Sequence, residues 1–155
     1  MAPSILSDNT IADWLEKWAN ETPDRECIVY SDRDFRLTWK ETDTRVNNMA
    51  KGMLAVGIKP GHHVGIWATN VPDWLIILYA CAKIGAIAVT VNTNYKQNEL
   101  EYLCQNADLN ALFIIDGTWE SDFVDMTYTM LPELKTSQRG HIKSEKFPLL
   151  KTVVY

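Results

Sequence analysis

Residues 63–94 read HVGIWATNVPDWLIILYACAKIGAIAVTVNTN, and the fold turns on how this stretch is divided. Eighteen residues, 74–91, carry a single charge, Lys83, which meets the length of a membrane-spanning helix. Two features favour a different division. Asp73 and Pro72 supply a helix start, with Asn70 as the expected N-cap. After Gly85 the helical spacing gives way to β-branched Ile87, Val89, Thr90 and Val91, the composition of a strand. The stretch is therefore expected to be strand, helix, strand. His63–Trp67 is the first strand. Trp74, Leu75, Leu78, Tyr79 and Ala82 lie in a helix apolar nearly all round, hence buried on several sides. Residues 86–91 form a strand apolar on both faces, as in the middle of a parallel sheet.

Downstream the unit repeats. Asn98 and Glu101 suggest a capped helix with Leu100, Leu103, Cys104 and Ala107 inward. Residues 111–115 are a further strand ended by Asp116-Gly117. Residues 119–134 are expected to be helical, residues 136–148 a polar, net basic surface loop, and residues 149–155 a last strand. Strand followed by helix, four times over and closing on a strand, predicts a parallel sheet with helices on its faces and right-handed crossovers.

Upstream lies a lead-in. Thr10 and Asp13 form a capping box, and Ile11, Trp14, Leu15, Trp18 and Ala19 share a helical face. Residues 27–30 and 35–39 are short strands joined by the hairpin loop 31–34. Thr38 and Glu41 cap a second helix carrying Val46, Met49, Ala50, Met53 and Leu54, which Gly57 stops before the Pro60-Gly61 turn. The fold class is thus α/β, a layered, parallel-rich sheet flanked by helices with a short β-hairpin near the N-terminus. One domain, 1–155, divides into a helix–hairpin–helix lead-in, 10–62, and βαβ repeats, 63–155.

Composition sets limits. The 155 residues are 46% apolar and 23% charged, near the globular averages of about 45–50% and about 25%, so a core can form without metal or disulfides. A net charge of −5 argues against a nucleic-acid surface. Cys27, Cys81 and Cys104 lack metal-like spacing with His62, His63 or His141 and are expected to be buried, reduced thiols of a cytosolic protein. MAPSILSDN has no basic start and no apolar run, so no signal peptide is expected. Asn20-Glu21-Thr22 fits a glycosylation sequon by chance.

Ligands on open α/β sheets sit beyond the carboxyl ends of the strands. Here those ends are residues 68–70, 92–95 and 116–117. Trp67, Asn70, Asn92 and Tyr95 are the candidate substrate-binding residues. Asn and Thr at these places equally serve helix caps. Trp14, Trp18, Trp39 and Trp74 sit at core-facing spacings and are expected to pack. No glycine-rich phosphate loop and no nucleophile elbow occurs in the sequence, and no spacing links Ser, His and Asp as a triad. The residues name no catalytic group and no metal ligand.

The segments TPDRECIVYSDRDFRLTWKETDTRVNNMAKGMLAVGIKPGHHVGIWATNVPDW and AKIGAIAVTVNTNYKQNELEYL closely resemble the N-terminal part of acyl-CoA synthetases, members of the adenylate-forming superfamily. Lys83-Ile84-Gly85-Ala86 with Val91-Asn92 matches one core motif, and LTWKE at 37–41 another. The resemblance runs from about Thr10 to Tyr155, and residues 134–155 are similar to the segment before the nucleotide loop in the fatty-acyl branch. It implies an enzyme that uses ATP and Mg²⁺ to turn a fatty acid into an acyl-adenylate, which coenzyme A then captures. It also implies that the phosphate loop would follow Tyr155, with the nucleotide motifs and catalytic Lys further on. The expectation is an incomplete N-terminal portion of the fold: no catalytic residue, no cofactor held by this portion alone, no activity by itself, and an open sheet edge through which it self-associates. The implied location is cytoplasmic, with the whole enzyme able to lie peripheral to a membrane. Two alternatives stand beside it: a stand-alone small-molecule-binding α/β domain, and a truncated product that docks a partner.

Overall fold

The computed structural model describes residues 8–155, so most of the MAPSILSDN segment lies outside the described residues. Thr10 opens the first helix, α1 (Ile11–Glu21), by a reciprocal box: the Asp13 carboxylate accepts from the Thr10 N–H at 2.7 Å, and Thr10 Oγ1 accepts from the Asp13 N–H at 3.2 Å. β1 (Glu26–Tyr30) and β2 (Phe35–Thr38) pair antiparallel around a short turn. The same box, Thr38 with Glu41, starts α2 (Trp39–Ala55).

The opening stretch divides as β3 (His63–Trp67), α3 (Pro72–Ile84) and β4 (Ile87–Thr90). Gly85 ends α3 with φ 71, a conformation that a side chain disfavours. At 13 residues α3 is too short to span a bilayer, and among the described residues no helix is long and apolar enough to do so. Its N-cap is Val71 rather than Asn70, because Pro72 takes the first helical position, where its missing N–H costs nothing.

α4 (Gln97–Asn106) begins two residues earlier than the Asn98/Glu101 pattern implied, with the Glu99 carboxylate accepting from the Lys96 N–H at 2.8 Å. β5 (Leu109–Ile114) follows. The helix expected over residues 119–134 is instead a two-residue-per-strand hairpin, β6 (Gly117–Thr118) and β7 (Ser121–Asp122), then α5 (Phe123–Met130) capped by Asp122, then a 3₁₀ turn at Pro132–Lys135. Gly117 makes the hairpin possible: at φ 143, a Cβ there would stand 2.1 Å from the Ser121 carbonyl oxygen. The last strand, β8 (Thr152–Val154), is shorter than expected, because the chain turns just before it, the Leu150 N–H donating to the Phe147 carbonyl at 3.1 Å.

The main sheet is parallel throughout, in the order β4-β3-β5-β8. β4 is therefore an edge strand, not a central one, and Ile87 is 49% exposed. The chain steps from β3 out to β4, then returns through α4 to the other side of β3. From His63 onward there are three strand–helix units, not four, before the closing strand.

Strand alternation divides the core into two layers. Val64, Ile66, Ala111 and Phe113 face α2, α3 and the hairpin, with Leu15, Val46, Met53, Ile77 and Ala80. Trp67, Leu112 and Ile114 face α4 and α5, with Leu100, Cys104, Phe123 and Met130. Helices thus cover both faces, as parallel sheets require. Cys81 and Cys104 are buried, and burial pushes their thiols up to about 11 and about 12, so both stay protonated, while Cys27 is half-buried.

Lys83 ties the three face-one helices together. Its side chain is 9% exposed, and its Nζ lies 2.5 Å from Glu16 on α1 and 2.9 Å from Asp43 on α2. Burial opposes its charge, yet the hydrogen bonds and charges of Glu16 and Asp43 outweigh this and hold its pKa above the ordinary lysine value. Trp14 and Trp18, expected inside, are each 37% exposed, because Ala12 and Leu15 take the inner positions of α1.

Candidate functional site

The connection after β3 runs to one side of the sheet, and the connection after β5 runs to the other. A crevice opens between diverging loops of this kind, outside the strand carboxyl ends. It is present here as a pocket of about 360 Å³. Met49, Trp74 and Ile77 wall it from the helices, Ala68 and Phe113 form its sheet side, and Asp116 and Tyr155 stand at its rim.

Asp116 and Tyr155 meet across the ends of β5 and β8, the phenol donating a hydrogen bond to Asp116 Oδ1. That hydrogen bond and the negative charge of Asp116 raise the Tyr155 phenol above its ordinary value. Asp73 lines the same crevice. The pocket is thus apolar in its walls and acidic at its mouth, with no lysine, arginine or histidine among its lining residues. A second hollow of about 410 Å³ lies beside it, between the β1–β2 hairpin and the start of α3, and includes Val29, Tyr30, Asn70 and Leu75.

The four residues singled out from the sequence fall into two places. Trp67 is wholly buried, its indole stacked on Phe123 with ring centroids 3.8 Å apart. Its Nε1–H donates to the Asn92 carbonyl at 3.2 Å. That carbonyl also accepts from the Tyr95 N–H at 3.1 Å, while Asn92 Oδ1 accepts from the Asn94 N–H at 2.9 Å. Trp67, Asn92 and Tyr95 therefore form one joint beneath the β4–α4 loop, on the α4/α5 side of the sheet. Asn70 is exposed and lies apart from them, in the hollow beside the hairpin. His63, the first residue of β3, is half-buried, and its Nδ1–H donates to the Ala107 carbonyl at 2.5 Å.

Sequence reasoning missed Asp116 with Tyr155. Asp116-Gly117 was legible as a strand end, but its partner 39 residues away depends on β8 lying beside β5.

The family model described as AMP-binding enzyme matches residues 15–153. The chain belongs to this family. Over 150 residues the chain is 43% identical to YngI of Bacillus subtilis (strain 168), a protein that carries the name of an acyl-CoA synthetase; the match covers 97% of this chain and 27% of that one. It is 33% identical over 149 residues to the mitochondrial medium-chain acyl-CoA ligase ACSF2 of Danio rerio, covering 96% of this chain and 25% of the relative. The chain spans about a quarter of the length of these relatives. It shares its fold with about a third of the N-terminal domain of FACL13 from Mycobacterium tuberculosis, with a TM-score of 0.74 at 18% identity over 94% of this chain and 33% of that one.

An AMP-binding family implies ATP, Mg²⁺ and coenzyme A for the whole enzyme. The residues of the crevice do not fit a polyphosphate: the rim carries the Asp73 and Asp116 carboxylates, and no Lys, Arg or His stands among its lining residues to meet phosphate charge.

Proposed function

We propose that this chain is the scaffold portion of an ATP-dependent fatty-acid–CoA ligase acting on medium- or long-chain acids. The observation that carries this reading is the 43% identity to YngI, which runs through nearly the whole of this chain but only a quarter of that protein. In the whole enzyme ATP activates the carboxylate as an acyl-adenylate, and the thiol of coenzyme A then displaces AMP. The part of this chain is to hold the switch-point crevice open and to present loops against which the remaining polypeptide closes. Of the four candidate binding residues, Asn70 is free to touch a ligand. Trp67, Asn92 and Tyr95 act by fixing the β4–α4 loop. By itself the chain places no cation for phosphate charge in the crevice and is inactive.

A chimera tests the reading. This chain replaces the matching segment of YngI, and acyl-CoA formation is measured with a panel of fatty acids. Thioester formation is expected. A folded, soluble chimera that forms no thioester with any acid, beside an active parent, would count against the assignment.

A further inference from the structure

At the opposite end of the sheet, where the strands begin, lies a cavity of about 380 Å³ of contrary character. Lys59, His62, Arg139, His141 and Lys151 line it, and no Asp or Glu does. Among the described residues none of the five is engaged in an ion pair. The cluster is concentrated against the trend of the molecule. Residues 135–151 hold five of the chain's 15 Lys and Arg and one of its 20 Asp and Glu, in a protein of net charge −5.

The cavity is held in shape by the backbone. The Ile142 N–H bonds the Lys151 carbonyl at 3.1 Å, and the Lys151 N–H bonds the Asn110 carbonyl at 2.9 Å, so the basic loop is tied to the starts of β5 and β8. Gly140, at φ 75, brings the loop so close to the end of α2 that a Cβ would stand 3.2 Å from the Val56 carbonyl oxygen. Cations held together without counter-charge repel one another, and an anion relieves that repulsion. Arg139 adds a planar fork suited to phosphate oxygens, and Lys59 and Lys151 act as point charges. The volume is that of a small-molecule pocket, typically about 300–1,000 Å³, rather than of a nucleic-acid groove.

We propose that this cavity binds a small phosphorylated anion, at a site on the far end of the sheet from the crevice and independent of the ligase reading. The test is titration of the ¹⁵N-labelled chain with inorganic phosphate and, separately, with ribose 5-phosphate. Saturable amide shifts are expected at Lys59, His62, Asn110, Gly140, His141 and Lys151. Tighter binding of the ester would identify a metabolite site, and equal binding a site for the free ion. Arg139→Gln and Lys151→Gln, both at exposed positions, should each weaken binding about tenfold, equivalent to about 1.4 kcal/mol. Lys40→Gln, which removes a cation outside the cavity, should leave it unchanged. The proposal is overturned if no saturable shift develops by about 10 mM, if the shifts map elsewhere, or if Arg139→Gln and Lys151→Gln, with unaltered melting, bind as the parent does.

Discussion

The indole of Trp67 lies flat on the ring of Phe123, the planes 9° from parallel and the centroids 3.8 Å apart. The pair pins the end of β3 to the start of α5, and the indole N–H holds the Asn92 carbonyl at the end of β4. Three elements thus meet at one buried residue. Trp67→Ala should cost about 3–5 kcal/mol by urea unfolding, and Trp67→Phe, which keeps a stacked ring but loses the N–H, clearly less. Equal costs for the two would show that the ring contributes nothing beyond its hydrogen bond.

Lys83 joins α1, α2 and α3 by charge, and removing it strands Asp43, whose side chain is 22% exposed. Lys83→Met should destabilise by about 1–3 kcal/mol. Glu16→Gln, at a side chain 56% exposed, should cost below about 1 kcal/mol. The folded pKa of Lys83 is raised, so its contribution is fully present below the ordinary lysine value of 10.5 and fades only as pH rises through the folded value. Between pH 6 and 9 the difference between parent and Lys83→Met should therefore stay constant, as read from paired urea titrations.

Two glycines set a contrast. A Cβ on Gly65 would meet Leu109 Cδ1 at 2.8 Å and Leu112 Cδ1 at 2.9 Å, the ends of buried side chains that can rotate only by disturbing the core. Gly65→Ala should cost about 1–3 kcal/mol. On Gly117 the obstacle is backbone, and the φ is unfavourable as well. Gly117→Ala should open the β6–β7 hairpin, giving faster amide exchange at Ser121 and Phe123 without global unfolding.

The Tyr155 phenol should titrate above 10, because ionising it would break its hydrogen bond and set two negative charges together. Asp116→Asn should lower that pKa toward its ordinary value, as read by ultraviolet difference titration. An unchanged pKa in Asp116→Asn would remove Asp116 as the cause.

Much of the architecture was legible because local chemistry and tertiary structure agree. The Thr10 and Thr38 boxes, Gly85 and the β-branched run after it each specify their own geometry. Strand order was not legible. The apolar run of β4 suggested a central strand, yet β3 takes that place, since α4 carries the chain back across it. The hairpin before α5 was hidden because Trp119 and Phe123 are compatible with helical spacing, while Gly117 is legible only as a turn. At the site, Trp67 stood at the right strand end, but alternation turns its ring to the α4/α5 layer, away from the crevice. Asp116 and Tyr155 are joined only by the adjacency of β5 and β8.

Among the described residues β4 and β8 are the outer strands of the main sheet, and β4 exposes Ile87. Such edges pair with other chains. Sedimentation velocity should show association that increases with concentration, and Ile87→Lys should reduce it. A monomer that persists at high concentration would contradict this expectation.

On the proposed reading, this chain carries the crevice and not the chemistry. ATP–pyrophosphate exchange by the isolated chain, with Mg²⁺ and medium- and long-chain fatty acids, tests it most directly. Exchange at background with every acid is the predicted result; exchange above background with any one of them would contradict it.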